Sequence, residues 1–172
     1  MNEHEPFIRQ AIQLAIASGK KGNATYGAVL AHEGKVIASA ENTEITGAGY
    51  GHAEYNLALQ AAQQFPESVL RESTFYCSAT PCPRCAFSIL AIGVRHVVIG
   101  VGYEAFASLI PEAFTTFSIQ EIVRRLELED VRIEGPVLEE EGMRAFEWWG
   151  GEHHPLEDLL EFARREREKA GS

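Results

Sequence analysis

The chain has 172 residues, 25 acidic against 15 basic side chains and a formal net charge of −10, which suits one domain with a single sizeable core. Nucleic-acid binding rests on Lys and Arg neutralising phosphates, so this balance disfavours a polyanionic partner and fits a small, uncharged substrate. No window approaches the ~20 apolar residues of a membrane helix, Met1 to Pro6 is not a basic start before an apolar run, and three cysteines make no secreted disulfide framework; a cytoplasmic location is expected.

In chain order, Phe7, Ile8, Ala11, Ile12, Leu14, Ala15 and Ile16 recur at helical spacing, which predicts a helix from Glu5 to Ser18 ending at Gly19. Tyr26 to Ala31 and Lys35 to Ala40 flank His32-Glu33-Gly34 and read as a β-hairpin. Glu41 to Gly51 has no apolar period and reads as a loop delivering His52. A helix follows from His52 to Gln64, stopped by Phe65-Pro66, then a strand at Thr74 to Ser78 and a helix from Pro81 to Ile92. Arg95 to Val101 is a β-branched run that suits a buried strand. Beyond Gly102 the pattern predicts a helix from Ser118 to Leu126, a strand around Val131 to Ile133 and a helix from Glu139 to Trp149. An amphipathic terminal helix closes the chain from Pro155 to Lys169. Helices alternating with short apolar strands suggest an α/β fold whose central sheet is covered on both faces.

The chemistry gathers between His52 and Cys85. His52-Ala53-Glu54 is followed about thirty residues later by Thr80-Pro81-Cys82-Pro83-Arg84-Cys85. One imidazole and two thiols are three soft ligands, the number a catalytic zinc commonly takes while a fourth position stays open to water. Residues two apart within a helix do not face one another, so His52 and Glu54 can share a target only at the helix's first turn. There the free N–H groups and the positive helix end favour thiolate, as zinc requires. Thr80 is expected to cap the second helix and Pro81 to open it. Zinc makes water a nucleophile near neutral pH, and Glu54 is the group placed to carry protons to a ring nitrogen and a departing amine.

Blander readings stand beside this one. A structural zinc knuckle would need a fourth ligand from Cys77, His4, His32, His96, His153 or His154, and a lone C-x-x-C can be redox-active. Cys77 in mid-strand reads as a core residue, His96 as structural and His153-His154 as a solvated turn.

On the pair His52-x-Glu54 and Pro81-Cys82-x-x-Cys85 the chain resembles the cytidine deaminase superfamily, in the branch of guanine deaminase, fungal cytosine deaminase and the tRNA adenosine deaminases. The resemblance covers roughly residues 5 to 140. It implies a three-layer α/β/α sandwich with a central mixed five-stranded sheet, a homodimer, and zinc on His52, Cys82 and Cys85 with Glu54 as the proton shuttle. It also implies base contacts: Tyr26 stacking on the ring, Asn42 bonding it, and the Ala53 N–H and the Pro81 carbonyl on its exocyclic and carbonyl groups, with Phe106 and Trp148 as further substrate contacts. Residues 141 to 172 form a helical tail whose Trp148-Trp149 is similar to the aromatic tail that closes over the base in two of those enzymes. The alternative is an aromatic stripe belonging to the core. Where purine-specific members often read Asp-Pro-Thr-Ala before His-Ala-Glu, this chain has Gly47-Ala48-Gly49-Tyr50-Gly51, and Arg84 fills a slot often held by methionine. The activity implied is zinc-dependent hydrolytic deamination of a free nucleobase or related heterocycle of guanine or cytosine type. The alternatives are deamination of an adenosine in tRNA and, outside enzymes, a zinc-stabilised interaction protein.

Overall fold

A computed structural model describes residues 2–47, 49–109 and 118–170. Helix α1 (Glu5–Lys20) leads into the hairpin β1 (Gly27–His32) and β2 (Lys35–Glu41), turned by Glu33 and Gly34, both with positive φ (49° and 73°). Two such residues make the turn whose twist matches the flanking strands. After the loop come α2 (Ala53–Gln64), the short α3 (Glu67–Glu72), β3 (Thr74–Ala79), α4 (Pro83–Ala91) and β4 (His96–Val101). Next are α5 (Tyr103–Leu109), α6 (Ile119–Arg125), β5 (Arg132–Glu134) and α7 (Glu139–Ala145). A second hairpin, β6 (Trp148–Trp149) and β7 (Glu152–His153), precedes α8 (Leu156–Ala170).

The main sheet is five-stranded in the order β2-β1-β3-β4-β5. The pairs β1–β2 and β1–β3 are antiparallel, and β3–β4 and β4–β5 are parallel, so the sheet is mixed as the resemblance implied. Successive strand residues point to opposite faces, and the burial follows that alternation. Phe75, Cys77, Val97 and Ile99 pack with Leu57, Ala61, Ile89, Ile119 and Ile122 of α2, α4 and α6. Tyr76, Val98 and Val29 pack with Ile8, Ile12 and Ala15 of α1 and Ala145 of α7. These are the three layers, and Cys77 is a core residue, fully buried. Gly27 brings α1 against β1: a Cβ there would lie 2.2 Å from the Ala11 carbonyl oxygen and 2.7 Å from the Ala15 nitrogen. Any larger residue would push the helix off the strand that carries Tyr26 into the site.

Three expectations need correction. Helix α4 starts two residues later than Thr80-Pro81 suggests: Cys82 is its N-cap and Pro83 its opening proline. The helix beginning at Glu139 ends at Ala145, because Gly150 and Gly151 both take positive φ (63° and 84°) and turn the chain back as a hairpin. Trp148 and Trp149 therefore pair with His153 and Glu152 and do not form a helical stripe. The sequence pattern also missed α3 and α5, of six and seven residues, which are too short to show a period. Among the described residues no helix is long and apolar enough to cross a membrane.

Candidate active site

The site lies beyond the carboxyl end of β3, where the parallel part of the sheet opens between β3 and α4. Thr80 prolongs the ladder by donating its N–H to the Val101 carbonyl (2.8 Å), and Pro81 then carries the chain to Cys82. His52 caps α2 with extended backbone (φ −60°, ψ 143°), and Cys82 caps α4 likewise (φ −65°, ψ 162°). Two helix amino termini thus meet, each led by a ligand-type side chain. His52 Nδ1 lies 3.5 Å from Cys82 Sγ and 3.4 Å from Cys85 Sγ, and the three donor atoms all lie within 4.8 Å of one another.

These separations fit zinc. Bonds of about 2.3 Å to sulfur and 2.0 Å to nitrogen at a tetrahedral angle place S and N about 3.5 Å apart. His52 Nε2 lies 3.1 Å from Glu44 Oε1, an ion-pair contact that orients the ring with Nδ1 toward the two sulfurs. The hydrogen bond from Cys85, and then that from His52, outweigh burial and draw the Cys82 thiol down to about 4. The Cys85 thiol is pushed far above the ordinary range, first by its bond to Cys82 and then by burial. Metal uptake by these thiols would release the protons they carry. The remaining fourth-ligand candidates lie elsewhere: Cys77 is in the core, His32 ends β1, His153 sits against Glu147 and His154 against Trp149, and His4 and His96 share a separate cluster.

Glu54, the second residue of α2, is 3% exposed and lines the pocket beside His52 and Cys82. Burial, with a further push from Cys82, raises its carboxyl to about 7, the range in which a group both accepts and returns protons at neutral pH. The pocket has a volume of about 260 Å³, close to the low end of small-molecule sites at roughly 300 Å³.

Of the expected base contacts, Tyr26, Pro81 and Phe106 line this pocket. The Tyr26 ring lies 6.1 Å from Phe106 and 5.8 Å from Phe146, so the tail reaches the site through Phe146, behind Tyr26. Ala53 is fully buried at the start of α2, outside the lining. Asn42 is also fully buried, and its amide is engaged with Glu44: Nδ2 donates to Glu44 Oε2 at 3.0 Å and Oδ1 accepts the Glu44 N–H at 2.9 Å. A carboxylate, not the asparagine amide, fronts the pocket there. Trp148 is docked at the end of α1, with Lys20 Nζ 4.2 Å over its ring and its carbonyl accepting from Thr25, and among the described residues none from 141 onward is in the lining.

Sequence reasoning missed Glu44, Thr80, Tyr103 and Ser118, all of which line the pocket. Asn42-Thr43-Glu44 carried a signal, since an Asn oxygen accepting the N–H two residues on is a recurrent loop device. Thr80 Oγ1 is buried without a hydrogen-bond partner in the wall of the pocket. If Glu44 orients His52, Glu44→Gln is expected to weaken zinc retention about 10–100-fold in competition with a chelator. An unchanged zinc affinity would show that Glu44 serves only the pocket wall.

The family model described as the cytidine and deoxycytidylate deaminase zinc-binding region matches residues 1–101. The tRNA-specific adenosine deaminase of Bacillus subtilis (strain 168) is 33% identical over 101 residues, which are 58% of this chain and 63% of that protein. The guanine deaminase of the same organism is 31% identical over 88 residues, 50% of this chain and 56% of that one. The chain thus spans a little more than half the length of these two relatives. A solved guanine deaminase from Nitrosomonas europaea superposes with a TM-score of 0.70 at 15% identity, covering 91% of this chain and 84% of the other, which speaks to the fold.

Proposed function

Because the chain belongs to the cytidine and deoxycytidylate deaminase zinc-binding family, we propose that it hydrolytically deaminates a free nucleobase or closely related heterocycle in the cytoplasm. The observation that carries this reading is the buried Glu54 beside three converging soft ligands in a pocket of about 260 Å³. An interaction protein stabilised by a structural metal has no use for an acid buried beside an incomplete ligand set.

His52, Cys82 and Cys85 would hold the zinc, which supplies Lewis-acid activation of water. Tyr26 and Phe106 offer apolar faces to the ring, and Pro81 presents its carbonyl to the exocyclic group. Glu54 takes the water's two protons in succession and passes one to the ring nitrogen and one to the departing amine. The new C–O bond replaces the C–N bond, and the products are a ring carbonyl and ammonia. Glu44 is placed to accept from a ring N–H. Two carboxylates at the pocket and a net charge of −10 disfavour a phosphate chain across its mouth.

A second reading, deamination of an adenosine in tRNA, is favoured by the 33% identity to the Bacillus subtilis enzyme. Ammonia release measured across guanine, cytosine, adenine, their nucleosides, triazine and pterin analogues and tRNA separates the two. Turnover of a free heterocycle with no tight, salt-dependent tRNA binding is expected. Turnover of tRNA alone would replace the proposal with the second reading. We also propose a homodimer, supported by Leu59 on α2 and Phe87 on α4, each 51% exposed on the outer helical layer. Sedimentation of the same sample as a monomer at micromolar concentration would remove it.

A further inference from the structure

At the opposite end of the sheet from the candidate active site, three more ligand-type side chains converge. Strand register places Thr74 beside His96 and His96 beside Arg132, with Tyr76 beside Val98 and Val98 beside Glu134. Residues two apart on a strand share a face, so Thr74, Tyr76, His96, Arg132 and Glu134 all project toward the α1 layer. His4, at the N-cap of α1, comes down onto the same patch. Its Nε2 lies 3.4 Å from Glu134 Oε1, and His96 Nε2 lies 2.6 Å from that same oxygen. The three ligand atoms lie within 4.8 Å of one another. β3 spans five residue steps from Thr74 to Ala79, so this cluster is about 16 Å from the first site.

The outer nitrogens are what distinguish this cluster from a chance meeting of side chains. His4 Nδ1 is 3.1 Å from the Tyr76 hydroxyl and His96 Nδ1 is 2.9 Å from Thr74 Oγ1. Each imidazole is therefore oriented from behind by a hydroxyl while its Nε2 points at the shared carboxylate, the arrangement by which metal-ligating histidines are held. A hydroxyl both donates and accepts, so the network suits two states. Without an ion, Tyr76 and Thr74 donate to Nδ1, the His96 Nε2–H donates to Glu134, and His4 Nε2 faces the same oxygen. With an ion, each imidazole carries its proton on Nδ1 and gives it to the hydroxyl, and both Nε2 lone pairs are free. The change is a shift of tautomer and needs no net proton release.

We propose that His4, His96 and Glu134 form a second metal site, selective for a borderline divalent transition ion such as Ni²⁺ or Zn²⁺, that ties the start of α1 to β4 and β5. Two imidazoles and one carboxylate suit such ions, whereas calcium and magnesium prefer all-oxygen sets. His4 is 11% and Glu134 28% exposed in the side chain, so the donors are shielded yet reachable from solvent. Arg132 Nη2 competes for Glu134 Oε1 at 2.9 Å, but its side chain is 69% exposed and can swing away. That competition gives the site a test that incidental binding to surface histidines would not reproduce. The inference does not depend on which substrate the first site takes.

The experiment is calorimetric titration with NiCl₂ of the full chain loaded with a single equivalent of zinc, which the thiolate-bearing site takes first, with metal content measured on the dialysed product. The wild type is expected to take up one further equivalent with Kd on the order of micromolar. Glu134→Gln and His96→Ala are each expected to weaken this uptake at least about tenfold. Arg132→Gln is expected to tighten it about two- to fivefold, by removing a competing positive charge. Ammonia release should be unaltered in all three. No further uptake by the wild type, equal affinity in Glu134→Gln, or an Arg132→Gln protein that binds no more tightly would each overturn the proposal. Should His96→Ala fail to fold, the isosteric Glu134→Gln and the exposed Arg132→Gln still decide it.

Discussion

Glu54→Gln is expected to give a folded, zinc-replete protein whose ammonia release is reduced at least about a thousandfold. Glutamine keeps the volume and the hydrogen-bonding reach of the side chain but can neither accept the water's proton nor return one to the amine. General acid–base contributions run at roughly 10²–10⁴-fold, and a residue used in successive steps belongs toward the upper end. Zinc content should stay the same, because Glu54 is not among the three converging donors. The stability of the metal-free protein should not fall either. Burial raises this carboxyl to about 7, so the folded state holds the proton more tightly than the unfolded chain does. The stabilising effect of that proton is complete below the ordinary glutamate pKa and is lost as pH rises through about 7, which makes the ionised form a cost at and above neutrality. Glutamine removes that cost. A zinc-replete mutant keeping more than a tenth of wild-type turnover on its best substrate would place proton transfer on another group, and Glu44 would be the first to test.

The centre of this fold was legible because its strands are fully buried and therefore announce themselves as short β-branched runs, as at Val97-Val98-Ile99. Placing His52 and Glu54 at a helix's first turn also followed from sequence, since residues two apart within a helix diverge. What could not be read was set by backbone detail. Thr80-Pro81 looks like a cap and an opening proline, but Cys82-Pro83 repeats the same signal two residues later and the structure uses the second. Cys82 thereby becomes the cap itself, and its sulfur still meets that of Cys85 three residues on. The tail failed for a similar reason: Trp148-Trp149 continues a helical stripe only if Gly150-Gly151 is overlooked as a turn.

Asn42 and Glu44 show a subtler limit. A loop asparagine before a His-x-Glu invites a substrate-binding role, yet two hydrogen bonds bind its amide to Glu44. The same turn that satisfies Asn42 aims Glu44 at both His52 and the pocket. Which of two neighbouring polar residues lines the pocket depends on a side-chain geometry that spacing alone does not encode. Phe146 and Trp148 differ in the same way. Two residues apart, one joins the aromatic wall behind Tyr26 and the other docks on Lys20 at the far side of α1.

Cys82→Ala/Cys85→Ala is expected to abolish turnover and to leave less than about a tenth of an equivalent of tightly held zinc, because His52 alone cannot hold the ion. The loss should extend to stability. The two thiols and His52 lead the amino termini of α4 and α2, so an ion shared among them joins two helices of one layer, and its binding free energy adds to folding. Thermal unfolding of the wild type should accordingly drop in the presence of a strong chelator, while the double mutant, already without that ion, should not respond. Cys85 is fully buried and alanine is smaller, so a modest packing loss is added whether or not metal is present, and the chelator comparison separates it from the metal effect. Zinc taken up at His4, His96 and Glu134 would confuse a bare count, so the measurement belongs in a Glu134→Gln background, where that second site is disabled. A double mutant that retains a full equivalent of zinc in that background would show that the metal is held elsewhere. The assignment of His52, Cys82 and Cys85 would then be wrong, and with it the role drawn for Glu54 beside them.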